Sequence, residues 1–260
     1  MKKPICRSRL QLVSFVCLLM IGANSIVMAG PIAYWSGNGN ANDSVGGHNG
    51  TLVGGASYGA GFGGQQAFLL NGSNGYVSVP DSTAWDFGTN SFRIDVWANF
   101  NSISNRSFAQ TGNVLIGHDD GSGSTNKWFF SYLSTGQLGF HINSSPSGPA
   151  DFLTSPTAAP VSTGSWNEFS VTRFGSTYTF YENGVSLGSV TDANYGSIPI
   201  ATQSLTIGQA EGQGWFNGSL EDIQISSPAP VPEPTSFMLL VVGGIGAAVA
   251  GYGRRKLAAD

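Results

Sequence analysis

Ser91-Phe92-Arg93-Ile94-Asp95-Val96-Trp97-Ala98-Asn99-Phe100 alternates without a break. Phe92, Ile94, Val96, Ala98 and Phe100 share one side of an extended chain; Arg93, Asp95, Trp97 and Asn99 share the other. Side chains on a β-strand point to opposite faces in turn. A period of two therefore predicts a strand with one face in a core and one in solvent. The same reading extends outward. Residues 66–71 and 76–80 flank a Gly72-Ser73-Asn74-Gly75 turn and read as a hairpin. Residues 127–133 and 137–142 pair across Ser134-Thr135-Gly136, and 169–174 pair with 178–181 across Gly175-Ser176-Thr177. Asn183-Gly184 is a two-residue turn into 185–190. Segments 204–208 and 218–225 close the region. From residue 30 to 227 no long stretch repeats apolar residues at 3.6. About a dozen short antiparallel strands suit an all-β, two-sheet sandwich.

Composition agrees. The chain has 260 residues, 41% hydrophobic and 10% charged, with 37 glycines. The glycines follow no G-x-y period, which excludes collagen. The apolar and aromatic content excludes charged-type disorder for most of the chain. Gly, Ser, Thr and Asn stand where a helical bundle would need Ala, Glu, Lys and Leu. One domain of roughly 200 residues fits the length, enough for a sizeable core.

The two ends read differently. Residues 1–29 have the form of a secretory leader: Lys2, Lys3, Arg7 and Arg9, an apolar run from Leu10 to Ile21, then Val27-Met28-Ala29 before Gly30. Both cysteines, Cys6 and Cys17, lie inside it. An exported domain from 30 to 227 would hold no disulfide and would depend on its core, its sheet bonds or a metal. Residues 228–235 form a Pro-rich spacer containing Val231, Pro232, Glu233 and Pro234. Residues 236–252 are uncharged and mostly apolar. Seventeen helical residues span about 26 Å, enough for a thin membrane. Residues 253–260 carry Arg254, Arg255 and Lys256, the cytoplasmic side of such a helix.

Val231-Pro232-Glu233-Pro234, a short membrane helix and Arg254-Arg255-Lys256 near the terminus together resemble the PEP-CTERM sorting signal of Gram-negative bacteria. The resemblance implies export, transient residence in the inner membrane, an exosortase-type processing partner, and a final place at the cell surface or in extracellular polymeric matrix. The body resembles the laminin-G-like (concanavalin A-like) jelly roll. The motifs are Asn42-Asp43-Ser44 with Gly50-Thr51-Leu52, Phe68 through Asn74-Gly75 to Val79-Pro80, Ser91-Phe92-Arg93-Ile94-Asp95-Val96-Trp97, Trp166 through Thr172, Tyr181-Glu182-Asn183-Gly184, and Phe216 through Ile225. Their order covers nearly the whole domain. The resemblance implies a two-sheet jelly-roll sandwich. In laminin-G-like domains with structural Ca²⁺ the ligands come from the first turn and the closing strand, which points to Asp43, Asp222 and carbonyls near Gly50.

Catalytic patterns are missing. Glycosidases of this fold carry paired acids on one strand face, as in E-x-D-x-E. Around Asp95 the flanking positions are Arg93 and Trp97. Glu221 and Asp222 are adjacent and are expected on opposite faces. No G-x-S-x-G lies between a strand and a helix. His48, His118 and His141 lack zinc-type spacing and read as surface or turn residues. Asp119-Asp120-Gly121-Ser122-Gly123 departs from the EF-hand pattern and reads as a flexible loop. Trp97 shares its face with Arg93, Asp95 and Asn99, which suits a sugar stacked on a ring with polar groups beside it; Trp128, Tyr132 and Trp215 are further aromatic candidates, with core packing the competing role. Between residues 30 and 227, four bases (Arg93, Arg106, Lys127, Arg173) face 13 acids, a balance of 4 − 13 = −9 that opposes nucleic acid. The reading is a non-catalytic carbohydrate-binding or adhesion module of the exterior. A structural matrix component without a ligand and a glycan-active enzyme are the alternatives.

Overall fold

The computed structural model describes residues 28–105 and 112–228. The leader up to residue 27, Arg106, the spacer from residue 229, the sorting motif, the apolar segment and the basic tail lie outside these. Among the described residues no helix is long and apolar enough to cross a membrane. Among the described residues fifteen strands follow in order: β1 Met28–Trp35, β2 Thr51–Val53, β3 Ser57–Ala60, β4 Gln66–Asn71, β5 Tyr76–Val79, β6 Phe92–Phe100, β7 Asn113–Asp119, β8 Lys127–Tyr132, β9 Leu138–Asn143, β10 Asp151–Thr154, β11 Trp166–Phe174, β12 Thr177–Glu182, β13 Val185–Thr191, β14 Leu205–Ile207 and β15 Asn217–Pro228. Two single 3-10 turns occupy Phe62–Gly64 and Thr83–Trp85.

The strands form two antiparallel sheets, a jelly-roll sandwich. One sheet runs β13-β12-β11-β6-β15-β4-β3, with β1 also paired to β15; the other runs β10-β9-β8-β7-β14-β5-β2. Alternation in β6 does what period two requires. Phe92, Ile94, Val96, Ala98 and Phe100 are wholly buried, while Arg93, Trp97 and Asn99 are half-buried on the outer face. Aromatic rings fill the space between the sheets. Phe87 stacks on Phe92 at 4.1 Å between centroids, and Trp128 lies parallel to Phe140 at 5.9 Å and 7°.

The hairpins β8–β9, β11–β12 and β12–β13 form as expected. The hairpin expected of 66–71 and 76–80 does not. β4 pairs with β3 and β15 in one sheet, and β5 pairs with β2 and β14 in the other. Phe68 and Leu70 of β4 and Val77 and Val79 of β5 all enter the same core. They can do so from opposite sides only if the turn carries the chain between sheets. β7 escaped the pattern for a related reason: all seven of its residues are buried, so it shows no alternation.

Two of the described bases, Arg173 and Lys127, work inside the protein. Arg173 is 2% exposed, and its guanidinium donates to the carbonyls of Gly88, Asn90, Tyr195 and Gly196. Lys127 is wholly buried. Its ammonium donates to the carbonyls of Gly121 (2.7 Å) and Gly123 (2.8 Å) and to the carboxylate of Glu211. The acidic loop after β7 is therefore strapped down, correcting the expectation of a flexible one. A buried ammonium needs such acceptors, and here they come from two loops at once.

Asp151 on edge strand β10 meets Asp192, the residue that follows edge strand β13. The half-buried Asp151 carboxyl lies beside the carboxyl of Asp192, and burial, then this neighbour, pushes its pKa up to about 6. Asp192 is 4% exposed and already accepts bonds from the backbone N–H groups of Asn194 and Tyr195. A raised carboxyl pKa stabilises the fold while the group is protonated. That contribution is complete below the unfolded value near ~4 and is lost as pH rises through about 6. The thermal midpoint should therefore fall between pH 5 and pH 7.5. Asp192→Asn, which lets an amide donate to Asp151, should flatten that slope. Equal slopes for both proteins in calorimetry would remove the acid pair from the account.

Candidate functional site

The outer face of the β6 sheet brings distant residues into rows. Glu168 on β11 and Glu221 on β15 stand opposite Trp97; Ser170 and Gln224 stand opposite Asp95, and Tyr34 on β1 stands opposite Gln224. From Trp97 to Asp95 the chain takes two steps, but from Glu221 to Gln224 it takes three. The extra residue is a β-bulge. Asp222 sits there in the left-handed region at φ 48, which is uncommon for residues other than Gly but which Asn and Asp adopt more often than most. Leu220, Ile223 and Ile225 stay fully buried on either side. Glu221 and Asp222 consequently line the same outer cavity, with Tyr34. This overturns the expectation that two adjacent acids must face opposite ways.

Each acid but one has a donor. The Glu221 carboxylate accepts the backbone N–H of Phe62 at 3.0 and 3.1 Å. Burial is the main cause of its raised pKa. That bond fastens the loop between β3 and β4 over the sheet. There, Phe62 stacks on Trp97 at 5.1 Å and 27° and meets Trp166 edge-on at 6.5 Å. Gly61 makes the approach possible: a Cβ there would lie 2.3 Å from the Glu221 carboxylate and 2.9 Å from the backbone of Gln66. Phe62 remains 52% exposed, so the shelf presents its ring to solvent. Asp222 accepts the hydroxyl of Tyr34. Burial, reinforced by that bond, raises the tyrosine pKa. Arg93 holds Asp95 through Nε (2.7 and 2.9 Å) and also donates to Ser170, whose hydroxyl donates to Asp95 at 2.6 Å. The Arg93 guanidinium lies over the Tyr181 ring at 5.5 Å. The side chain of Glu168 makes no hydrogen bond among the described residues; burial, then the charge of Asp95, raises its pKa.

Tyr34, Arg93, Asp95, Trp97, Glu168, Asp222 and Gln224 surround a cavity of about 400 Å³. Three of the four residues expected to bind, Trp97, Arg93 and Asp95, are thus together. Asn99 lies on the same face but outside the cavity, its amide donating to the carbonyl of Gly164 at 3.2 Å. Phe62, Trp166, Glu168, Tyr34 and Gln224 were not anticipated. Trp166 and Glu168 sit in a motif strand, and pairing β11 with β6 would have found them. Phe62 lies in a Gly-rich loop that carries no such signal.

Asp43, Gly50 and Asp222, the residues expected at calcium, are each held by hydrogen bonds to the protein. Asp43 accepts backbone N–H groups from Tyr34, Val45 and Gly46 on Oδ1 and from His48 on Oδ2, and also binds the His48 ring at 2.8 Å. These bonds hold its pKa below the usual range against the opposing effect of burial. Calcium would have to displace them, so the geometry supports a turn anchor. Gly50 donates its N–H to the carbonyl of Ala41. Asp222 belongs to the outer face. Two of the three histidines are neither surface nor turn residues: His118 is 1% exposed and His141 fully buried, both on strands, whereas His48 lies part-exposed just after a turn, held by Asp43. Trp128 and Tyr132 belong to the core. Trp215 is half-buried, 5.9 Å from Tyr76, beside a second, Gly-rich cavity of about 400 Å³.

Residues 71–233 match the sequence model of the concanavalin A-like lectin/glucanases superfamily. No curated protein matches the chain by sequence. Among solved structures, domain 4 of AbnA, a GH43 extracellular arabinanase from Geobacillus stearothermophilus, in complex with arabinotriose, superimposes with a TM-score of 0.59 and 21% identity, covering 78% of this chain and 94% of that one. The binding domain of Paraclostridial Mosquitocidal Protein 1 gives 0.57 and 16%, covering 78% and 49%. A structure of botulinum neurotoxin type C, whose cell entry is described as dependent on two ganglioside molecules, gives 0.53 and 17%, covering 75% and 47%. The chain spans about half the length of these toxin structures. At such identities the likeness concerns the fold.

Asp43→Ala should cost about 3 kcal/mol in chemical denaturation, since it removes a buried carboxylate that four backbone N–H groups share. A loss below about 1 kcal/mol would mean that these bonds are replaced by water.

Proposed function

The chain belongs to the concanavalin A-like lectin/glucanases superfamily, and on that premise we propose that its sandwich is a non-catalytic, carbohydrate-binding module displayed outside the cell. The carrying observation is the Phe62–Trp97–Trp166 shelf beside the cavity of Glu168, Asp222, Tyr34 and Gln224. Ring faces take the CH face of a sugar, and carboxylate, amide and phenol groups take its hydroxyls. Asp95, Glu168 and Asp222 outnumber the single Arg93 in the cavity, which favours neutral sugars over anionic ones.

Catalysis is a poorer fit. Glycoside hydrolysis needs two carboxyl groups free to act. Asp95 is committed to Arg93 and Ser170, Glu221 to Phe62 and Asp222 to Tyr34, which leaves Glu168 alone. Arabinotriose in the AbnA domain and gangliosides in the toxin suggest probes, the neutral one being the better fit to this charge. One observation favours a matrix component without a ligand: the Arg93–Asp95–Ser170 cluster is already closed on itself.

The leader at 1–29 and the tail at 228–260 support export, passage through the inner membrane and exosortase-type processing at Pro232-Glu233-Pro234. Glu233→Ala should leave the basic tail attached in whole-protein mass spectra. Removal of the tail from both proteins would end that assignment. On a glycan array that includes arabino-oligosaccharides, the full chain should bind neutral oligosaccharides. Phe62→Ala and Trp97→Ala should each weaken binding at least tenfold, about 1.4 kcal/mol, with unchanged far-ultraviolet dichroism. Silence across the array would favour the matrix reading.

A further inference from the structure

A second constellation lies away from the shelf. Asp81 follows β5, Asp86 follows the 3-10 turn that buries Trp85, and His118 stands on β7. One ligand atom from each lies within 4.8 Å of the others. His118 Nε2 is 3.1 Å from Asp81 Oδ1 and 2.8 Å from the carbonyl oxygen of Gln203. The ring is edge-on to Trp85 and Trp128. His118 Nδ1 and Asp86 Oδ1 are buried without a hydrogen-bond partner.

An unpartnered buried carboxylate oxygen is costly, and a second carboxylate beside it raises the cost. A cation between the two acids and the imidazole removes both penalties. We propose that Asp81, Asp86 and His118 form a binding site for a divalent transition cation, Zn²⁺ fitting best. An imidazole nitrogen with two carboxylates is the donor set zinc takes, with a fourth position open to water or to the Gln203 carbonyl. Calcium fits poorly, since it seeks six to eight oxygens. Binding needs the neutral imidazole with its proton on Nδ1, so Nε2 gives up its hydrogen bond to the Gln203 carbonyl and its lone pair goes to the metal; no group is oxidised. Asp81, whose side chain is 45% exposed, opens the site to solvent. The ion would clamp the 81–86 connection, which carries Trp85 into the core, onto β7. That is a staple for a domain whose described residues contain no cysteine.

The test is titration calorimetry on the full chain, stripped with chelator and desalted. ZnCl₂ should bind at one equivalent with a dissociation constant in the micromolar range or below, and CaCl₂ and MgCl₂ should give no saturable heat. Asp81→Asn changes an exposed side chain and should fold normally, yet weaken zinc at least tenfold. Asp86→Asn should do the same. Co²⁺ should give the visible absorption of a low-coordinate site in the parent protein and lose it in His118→Gln. Zinc binding equal in the parent, Asp81→Asn and Asp86→Asn would place the ion elsewhere and overturn the proposal. So would the absence of saturable zinc heat and of a cobalt spectrum in the parent. Glycan binding by the shelf is a separate readout, so neither result decides the other.

Discussion

Two inner faces have to meet without a covalent link between them. Among the described residues there is no cysteine, so the sandwich closes on ring packing and ladder bonds. Trp128, Phe140, Phe92 and Phe87 make a continuous series of contacts from one sheet to the other. Interiors of this kind are close-packed, and removing one large ring typically costs about 3–5 kcal/mol. The demand for a filled interior sends every inward position of β6 to an apolar residue. The polar residues of the same strand then have only the outer face. The shelf and its cavity are thus a by-product of the core's needs, elaborated by neighbouring strands.

Charged groups supply what the rings do not. Arg173, Lys127 and Asp43 each gather several groups from separate segments of the chain. Each is a hub rather than a pair. Breaking a hub leaves several buried polar groups unsatisfied at once, a heavier loss than one exposed ion pair. Because Arg93, Lys127 and Arg173 are all engaged internally, the described surface is dominated by acids and neutral polar groups.

Much of this was legible in the sequence, and the boundary has physical causes. Period two in β6 revealed the shared face of Arg93, Asp95 and Trp97, because alternation is a local property. Glu168 and Trp166 needed the register between β11 and β6, which is a pairing property. The crossing of β4 and β5 between sheets was hidden because a hairpin and a sheet-to-sheet turn share the same residues, Gly72 to Gly75. The bulge at Asp222 was hidden too. Nothing in Leu-Glu-Asp-Ile marks one residue as surplus until β6 is laid beside it. His118, Asp81 and Asp86 meet only through topology, since motif spacing covers neighbours in the chain and these come from β7 and from the segment after β5.

That surplus residue changes how much chemistry a sheet can display. A regular strand offers one outward side chain for every two residues. At the bulge, consecutive residues both point outward, so the local density of functional groups doubles without a loop being added. The groups ride on a ladder fixed on both flanks, β6 on one side and β1 or β4 on the other. A partner would meet a rigid template and would not have to order it first, which keeps the entropic cost of association low and makes fit, rather than adaptability, the basis of selection.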